Sequence, residues 1–188
     1  MFHGRCGQLV NLTSLGNEVG VDHTTIKRWL TVLEASYVIC LVQPHFANFN
    51  KRLTKSAKIY FLDSGLLCYL LRIQDSAMLQ QHPFIGGIFE TFVFSELYKN
   101  FSHHNKETPL YYWRDKSGWE IDILLDQGSY LCPVEIKSTQ TITNALFKNI
   151  SYWINLKNNP QTQGFLVYAG NEFQLHSTIQ VLPWYAIS

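Results

Sequence analysis

Two runs of alternating apolar and polar residues, Trp119 to Asp126 and Ser129 to Ser138, flank Gln127-Gly128 and constrain this chain more than any other segment. Side chains along a strand alternate between its faces, and a glycine-containing turn between two such runs marks an antiparallel hairpin. In the first arm Trp119, Ile121, Ile123 and Leu125 share one face, which puts Glu120 and Asp122 on the other. In the second arm Leu131, Glu135 and Lys137 share a face. Register decides which of them meet. A loop of Gln127-Gly128 alone sets Glu120 opposite Glu135 with Asp122 as diagonal neighbour, whereas a four-residue loop sets Asp122 opposite Glu135. Both registers gather carboxylates on one face.

Like charges on adjacent strands repel by an amount comparable to the ~0.2–1 kcal/mol of a favourable pair, and by more where they are buried. A divalent cation offsets that repulsion. Mg²⁺ or Mn²⁺ takes hard oxygen ligands, at ~2.0–2.1 Å for Mg²⁺, and Mg²⁺ usually retains waters that can attack a phosphodiester. Lys137 falls on the same face two residues beyond Glu135, where its ammonium would orient the attacking water and stabilise phosphate charge. The plainer alternative is a solvated strand face on which Lys137 simply pairs with Glu135. Upstream, Ile88, Phe89, Phe92, Val93 and Leu97 form a stripe that predicts a helix to about Asn100. Glu90 lies in line with Val93, Phe94 and Leu97, at the border of that stripe, so its carboxylate can turn inward; a glutamate favoured by the helix dipole is the alternative. The residues themselves therefore offer Asp122, Glu135 and Lys137 as a catalytic constellation, with Asp122 and Glu135 as metal ligands.

The first half carries a different pattern. Thr13-Ser14-Leu15 opens a short helix, Gly20 supplies a turn, and Ile26, Trp29, Leu30 and Leu33 recur at helical spacing from Thr24 to about Ser36, with Asp22 as cap. This is helix-turn-helix spacing. The other face of the second helix offers Thr24, Thr25, Lys27, Arg28 and Thr31, short donors and cations suited to phosphates and base edges. The strand-like runs at 37–42 and 58–62 enclose a polar stretch with Asn48, Asn50, Lys51, Arg52 and Lys55, which reads as a basic wing. Lys27, Arg28, Lys51, Arg52 and Lys55 are equally compatible with a solvated face, because helix-turn-helix units also serve protein contacts. Asp63-Ser64-Gly65 caps a further helix through Arg72, and Ile73 to Pro83 reads as a polar linker. The expected domains are a winged helix-turn-helix over 1–80 and a second domain over 81–188.

In that second domain a strand is expected at 110–114, a crossover helix at 143–157, a buried strand at 164–168, and edge strands at 173–175 and 179–182. The fold class is α/β. The chain has 188 residues and a formal charge of +1, which excludes a global basic excess, so any nucleic-acid contact must use local patches. Cys6, Cys40, Cys68 and Cys132 form no C-x-x-C pair and read as reduced, buried thiols. His103, His104 and His176 lack metal-ligand spacing and read as surface residues. No apolar run approaches the ~20 residues of a membrane span, and no signal-peptide stretch begins the chain, so no membrane partner and a cytoplasmic location are expected.

The order Glu90 on a helix, then Asp122, then Glu135-x-Lys137 in a hairpin, then a helix resembles the PD-(D/E)xK restriction-endonuclease-like superfamily, with Ile121 standing where the motif's name has proline. The chain as a whole also resembles the C-terminal region of uncharacterised bacterial and archaeal AAA-type ATPases. The runs carrying this likeness include Ile26-Lys27-Arg28-Trp29-Leu30, Asn50-Lys51-Arg52-Leu53, Lys58 to Leu66, Gly87-Ile88-Phe89-Glu90, Trp113-Arg114, Glu120-Ile121-Asp122 and Val134-Glu135-Ile136-Lys137. The resemblance implies a restriction-endonuclease-like mixed sheet flanked by helices, a winged helix before it, an ATPase module that is missing from this chain, and Glu90 as a further catalytic residue and metal ligand beside Asp122, Glu135 and Lys137. The chain contains no G-x-x-x-x-G-K-[ST] loop, so ATP is not expected to bind here, and Met1 reads as the start of a fragment. The expected function is a DNA-associated nuclease-like part of an AAA-type ATPase. The alternative is a non-catalytic module that keeps the fold for DNA or protein contacts. Homo-oligomerisation is left open.

Overall fold

A computed structural model describes residues 2–45, 56–103, 109–156 and 163–187. It shows a mixed α/β protein that divides into two compact units, one formed by 1–42 and 56–95 and the other by 43–55 and 96–188.

The first unit begins with a short 3-10 turn at Phe2–Arg5, then β1 (Gln8–Leu9), α1 (Leu12–Val19), α2 (His23–Ala35), β2 (Ile39–Val42), β3 (Lys58–Phe61), α3 (Ser64–Leu70) and α4 (Ser76–Gln81). Its helices start where side-chain caps permit. Asn11, Asp22, Asp63 and Asp75 each accept a hydrogen bond from the backbone N–H three residues on, satisfying a donor that the first turn leaves orphaned. Between α1 and α2, Gly20 adopts a left-handed conformation with φ 73°, which closes the first helix without the steric penalty a Cβ would bring. The strands form a three-stranded antiparallel sheet in the order β1-β3-β2. Leu15, Ile26, Leu30, Ile59, Phe61 and Leu67 fill the core beneath it.

Two expectations change here. Trp29, read as a core position by its spacing, is 42% exposed, because Ile26 and Leu30 already fill the buried side of α2. The stretch 73–83, read as a linker, contains α4, nucleated by the Asp75 cap. The wing residues Asn48, Asn50, Lys51, Arg52 and Lys55 lie outside the described residues.

Helix α5 (Ile85–His103) contains the division between the units, which falls after Ser95. Ile88, near its start, belongs to the core of the first unit. Residues 43–45 belong to the second: Pro44 bridges to Tyr112 in parallel, and the His45 N–H donates to the Tyr112 carbonyl at 2.8 Å.

The second unit comprises β4 (Leu110–Arg114), β5 (Glu120–Asp126), β6 (Leu131–Lys137), a 3-10 turn at Asn144–Phe147 that runs into α6 (Lys148–Ile154), β7 (Gly164–Tyr168), β8 (Gln174–His176) and β9 (Ile179–Pro183). The crossover expected as one helix is thus a 3-10 turn followed by a shorter α-helix. The six-stranded sheet has the order β4-β5-β6-β7-β9-β8. β5 pairs antiparallel with β4 on one side and β6 on the other, β6, β7 and β9 run parallel, and β8 returns antiparallel on the edge. A parallel neighbour requires a crossover, which α6 supplies between β6 and β7. Asp126 pairs with Leu131, so the hairpin loop is the four residues 127–130. Tyr112, Trp113, Ile121 to Leu124 and Cys132 to Ile136 are buried in consecutive runs, the mark of strands covered on both faces. Trp113, Leu124, Ile150, Trp153, Leu166 and Val181 belong to the core that α6 covers. Among the described residues no helix is long and apolar enough to cross a membrane.

Where α6 meets β7 the contact tolerates only glycine, since a Cβ on Gly164 would come within 2.4 Å of Ile150 Cγ2. Gly164→Ala should therefore destabilise the protein by ~1–3 kcal/mol through overpacking. A melting curve indistinguishable from wild type would contradict that close approach.

Candidate functional site

The four-residue loop fixes which acidic groups meet. Continuing the register one pair beyond Ile123 and Val134 puts Asp122 opposite Glu135. Across the parallel pair Glu135 aligns with Leu166, and Lys137 with Tyr168. The Asp122 carboxylate takes over a backbone donor at this point, with Oδ2 accepting from the Ile136 N–H at 2.8 Å. Lys137 extends its ammonium between the two acids, 2.6 Å from Glu135 Oε1 and 3.3 Å from Asp122 Oδ2. The Asn149 amide from α6 donates to the same Glu135 oxygen at 2.9 Å. Glu135 is only 1% exposed, and its second oxygen, Oε2, is buried without a hydrogen-bond partner among the described residues.

That geometry sets the electrostatics. Burial, and then the charge of Asp122, push the Glu135 carboxyl up to about 8, against the opposing pull of Lys137 and Asn149. Burial acts against the Lys137 ammonium, but Asp122 and Glu135 outweigh it and hold that group above its ordinary value. The two shifts are linked, because Lys137 gains from Glu135 only while Glu135 is ionised. The two acids hold Lys137 in its charged form, while burial and the charge of Asp122 disfavour ionisation of Glu135.

The donor set suits a hard cation. Mg²⁺ is commonly held by one or two carboxylates, with waters and phosphate oxygens completing its shell. Asp122 and the orphaned Oε2 of Glu135 are oxygens of that kind, while Lys137 stands beside them. Among the described residues no three His, Cys, Asp or Glu side chains come together as a metal-binding group.

Of the residues singled out from the sequence, Asp122, Glu135 and Lys137 are brought together. Glu90 belongs to the first unit, where its Oε1 accepts from Tyr60 Oη at 2.5 Å and from Lys58 Nζ at 3.2 Å. Thr24, Lys27 and Arg28 are exposed on α2, and Thr25 is half-buried, its N–H held by Asp22. Lys51, Arg52 and Lys55 are outside the described residues. Sequence reasoning missed Asn149. A signal was present: Asn149 follows Leu146 by three residues and precedes Trp153 by four, so it is a polar residue on the apolar stripe of its helix. It also missed Lys58, 1% exposed in what reads as a plain apolar strand, as the partner of Glu90.

The fold and the site define a mixed α/β protein with a buried carboxylate pair and a lysine at the ends of adjacent strands. The profile of DUF4143, a domain of unknown function, matches residues 85–187, and the chain belongs to that family. A second domain of unknown function, DUF8612, matches residues 1–77. Among curated proteins the chain is similar to uncharacterized proteins of Mycobacterium bovis and Mycobacterium tuberculosis, each 36% identical over 135 residues. The match covers 72% of this chain and 30% of the length of each relative.

A carboxyl held at about 8 when folded, against an ordinary value of 4.5, binds its proton more tightly in the folded state. Its contribution to stability is therefore largest below the lower value, falls as pH rises through the interval and levels off above the upper one. Glu135→Gln, which keeps the uncharged shape, should melt higher than wild type at pH 8.5 by on the order of 1 kcal/mol, and the gap should close toward pH 5. An offset that is equal at both pH values would contradict the burial of an ionisable Glu135.

Proposed function

We propose that this chain is the DNA-associated part of a larger AAA-type ATPase, with a winged helix in its first unit and a metal-dependent, PD-(D/E)xK-like phosphodiester-cleaving site in its second. The single observation that carries the reading is the Glu135 carboxylate, buried opposite Asp122 with one oxygen bound by Lys137 and Asn149 and the other without a partner among the described residues. A buried unsatisfied acceptor costs ~1–3 kcal/mol, and more when charged, so the group is retained at a standing cost that a cation relieves. In this reading Asp122 and Glu135 would hold Mg²⁺ or Mn²⁺, which when bound would supply an acidified water and a Lewis acid. Lys137 would stabilise charge on the phosphate oxygens and orient the attacking water. Asn149 fixes the rotamer of Glu135.

Support for the DNA-binding half comes from α1 and α2, joined by a short turn, and from the exposed Thr24, Lys27 and Arg28 on α2. Salt-dependent duplex binding should weaken, and its salt slope should shrink, in the Lys27→Glu, Arg28→Glu double variant. Unchanged affinity at low salt would assign α2 to protein contacts. The second reading, a non-catalytic module, is favoured by one observation: Lys137 already bridges both carboxylates and offsets their charge without a metal.

Metal binding separates the two. Millimolar Mn²⁺ should raise the melting temperature of the wild-type chain by linkage, and Asp122→Asn or Glu135→Gln should abolish that rise together with DNA cleavage. Lys137→Met should retain the metal-induced rise and lose cleavage. A wild-type melting curve indifferent to Mg²⁺ and Mn²⁺, with plasmid and single-stranded DNA both left intact, would establish the non-catalytic reading.

A further inference from the structure

Beyond the C-terminal ends of β6 and β7 lies a groove of about 740 Å³, formed by the segment that follows Lys137 and by the turn that follows Tyr168. That volume falls within the ~300–1,000 Å³ of small-molecule sites, and the crevice outside the carboxyl ends of adjacent parallel strands is where α/β sheets commonly receive ligands. The Ala169 N–H ties the two walls together, donating to the carbonyls of Lys137 at 3.2 Å and Thr139 at 3.1 Å. The Tyr168 hydroxyl donates to the Glu172 carbonyl and accepts from its N–H, both at 2.9 Å, so the turn is held in place.

The chemistry of the lining is distinctive. Among the described residues that line the groove there is no lysine or arginine, and Glu172 adds a negative charge, so phosphate is disfavoured. Gln140, Asn144 and Asn171 each present a carboxamide with donors and an acceptor, and Gln174, whose Nε2 donates to Glu172 Oε2 at 3.5 Å, adds a further acceptor. His176 stacks on Phe147, with ring centroids 4.2 Å apart and planes within 8°, and is itself exposed. Carboxamides that pair with base edges and a flat ring that extends a stack are the means by which proteins hold unpaired bases.

We propose that this groove binds unpaired nucleobases of a single-stranded DNA whose backbone passes the Asp122, Glu135 and Lys137 site. The proposal rests on the nuclease-like reading above and names its substrate as single-stranded. Lys137 supplies the positive charge for the phosphate, and the groove beyond its strand end, with no lysine or arginine among its described lining residues, takes the adjoining bases. Division of labour follows: the groove contributes affinity that is insensitive to salt, whereas phosphate contacts contribute the salt-dependent part.

The test is anisotropy with the full 188-residue chain in EDTA, using a short labelled single-stranded oligonucleotide and an abasic oligonucleotide of equal length and charge. The base-bearing strand should bind about tenfold more tightly than the abasic one, the scale of a stacked base. His176→Ala and the Asn144→Ala, Gln174→Ala double variant should erase that difference and leave the salt slope unchanged. Equal binding of the two oligonucleotides, or variants that retain the full preference, would overturn the groove assignment while leaving the metal-dependent reading standing. Failure of both oligonucleotides to bind at any salt concentration would likewise overturn the groove assignment.

Discussion

The second unit is organised around a carboxyl group that is almost wholly buried. Glu135 sits near the end of a buried strand run, opposite a second acid, with Lys137 and Asn149 both bound to one of its oxygens. Taking such a group out of water is costly unless it is paired and hydrogen-bonded. The surrounding structure is arranged to meet part of that demand. The hairpin register brings Asp122 to the same face, the Asp122 carboxylate captures the Ile136 N–H, and α6 packs close enough for Asn149 to reach across. The close approach of Ile150 to Gly164 shows how tightly that helix is seated on β7.

A comparable arrangement occurs in the first unit. Lys58 is 1% exposed in the middle of a three-stranded sheet, and it is held there by Glu90 of α5, which Tyr60 also contacts. A buried ion pair of this sort contributes little net stability, yet removing either partner leaves an uncompensated charge. Glu90 thus has a structural task in its own unit, whatever further role the nuclease-like reading gives it.

The exposed surface separates into chemically distinct regions. On α2, threonines and cations stand beside Trp29 and Val32, a mixture that suits either DNA or a protein partner. Around β8, Phe173 and Leu175 are exposed on the edge of the sheet, while the groove on the far side of that strand is polar. The match to the uncharacterized mycobacterial relatives covers 30% of the length of each.

Much of this was legible in the residues. Alternation from Glu120 to Lys137 placed the acids and Lys137 on one face, because side-chain direction in a strand depends only on parity. The strands at 110–114 and 164–168 and the helices capped by Asp22 and Asp63 were equally local, since capping and periodicity act over a single turn. What lay between elements was not. Parity alone could not choose between a two- and a four-residue loop, and only the formed hairpin put Asp122 opposite Glu135. The burial of Lys58 and its pairing with Glu90, the reach of Asn149 to Glu135 and the exposure of Trp29 each depend on partners distant in sequence. Local sequence fixes direction along an element; which groups lose their water is settled only when elements pack, because desolvation is a property of the assembled neighbourhood and not of the residue.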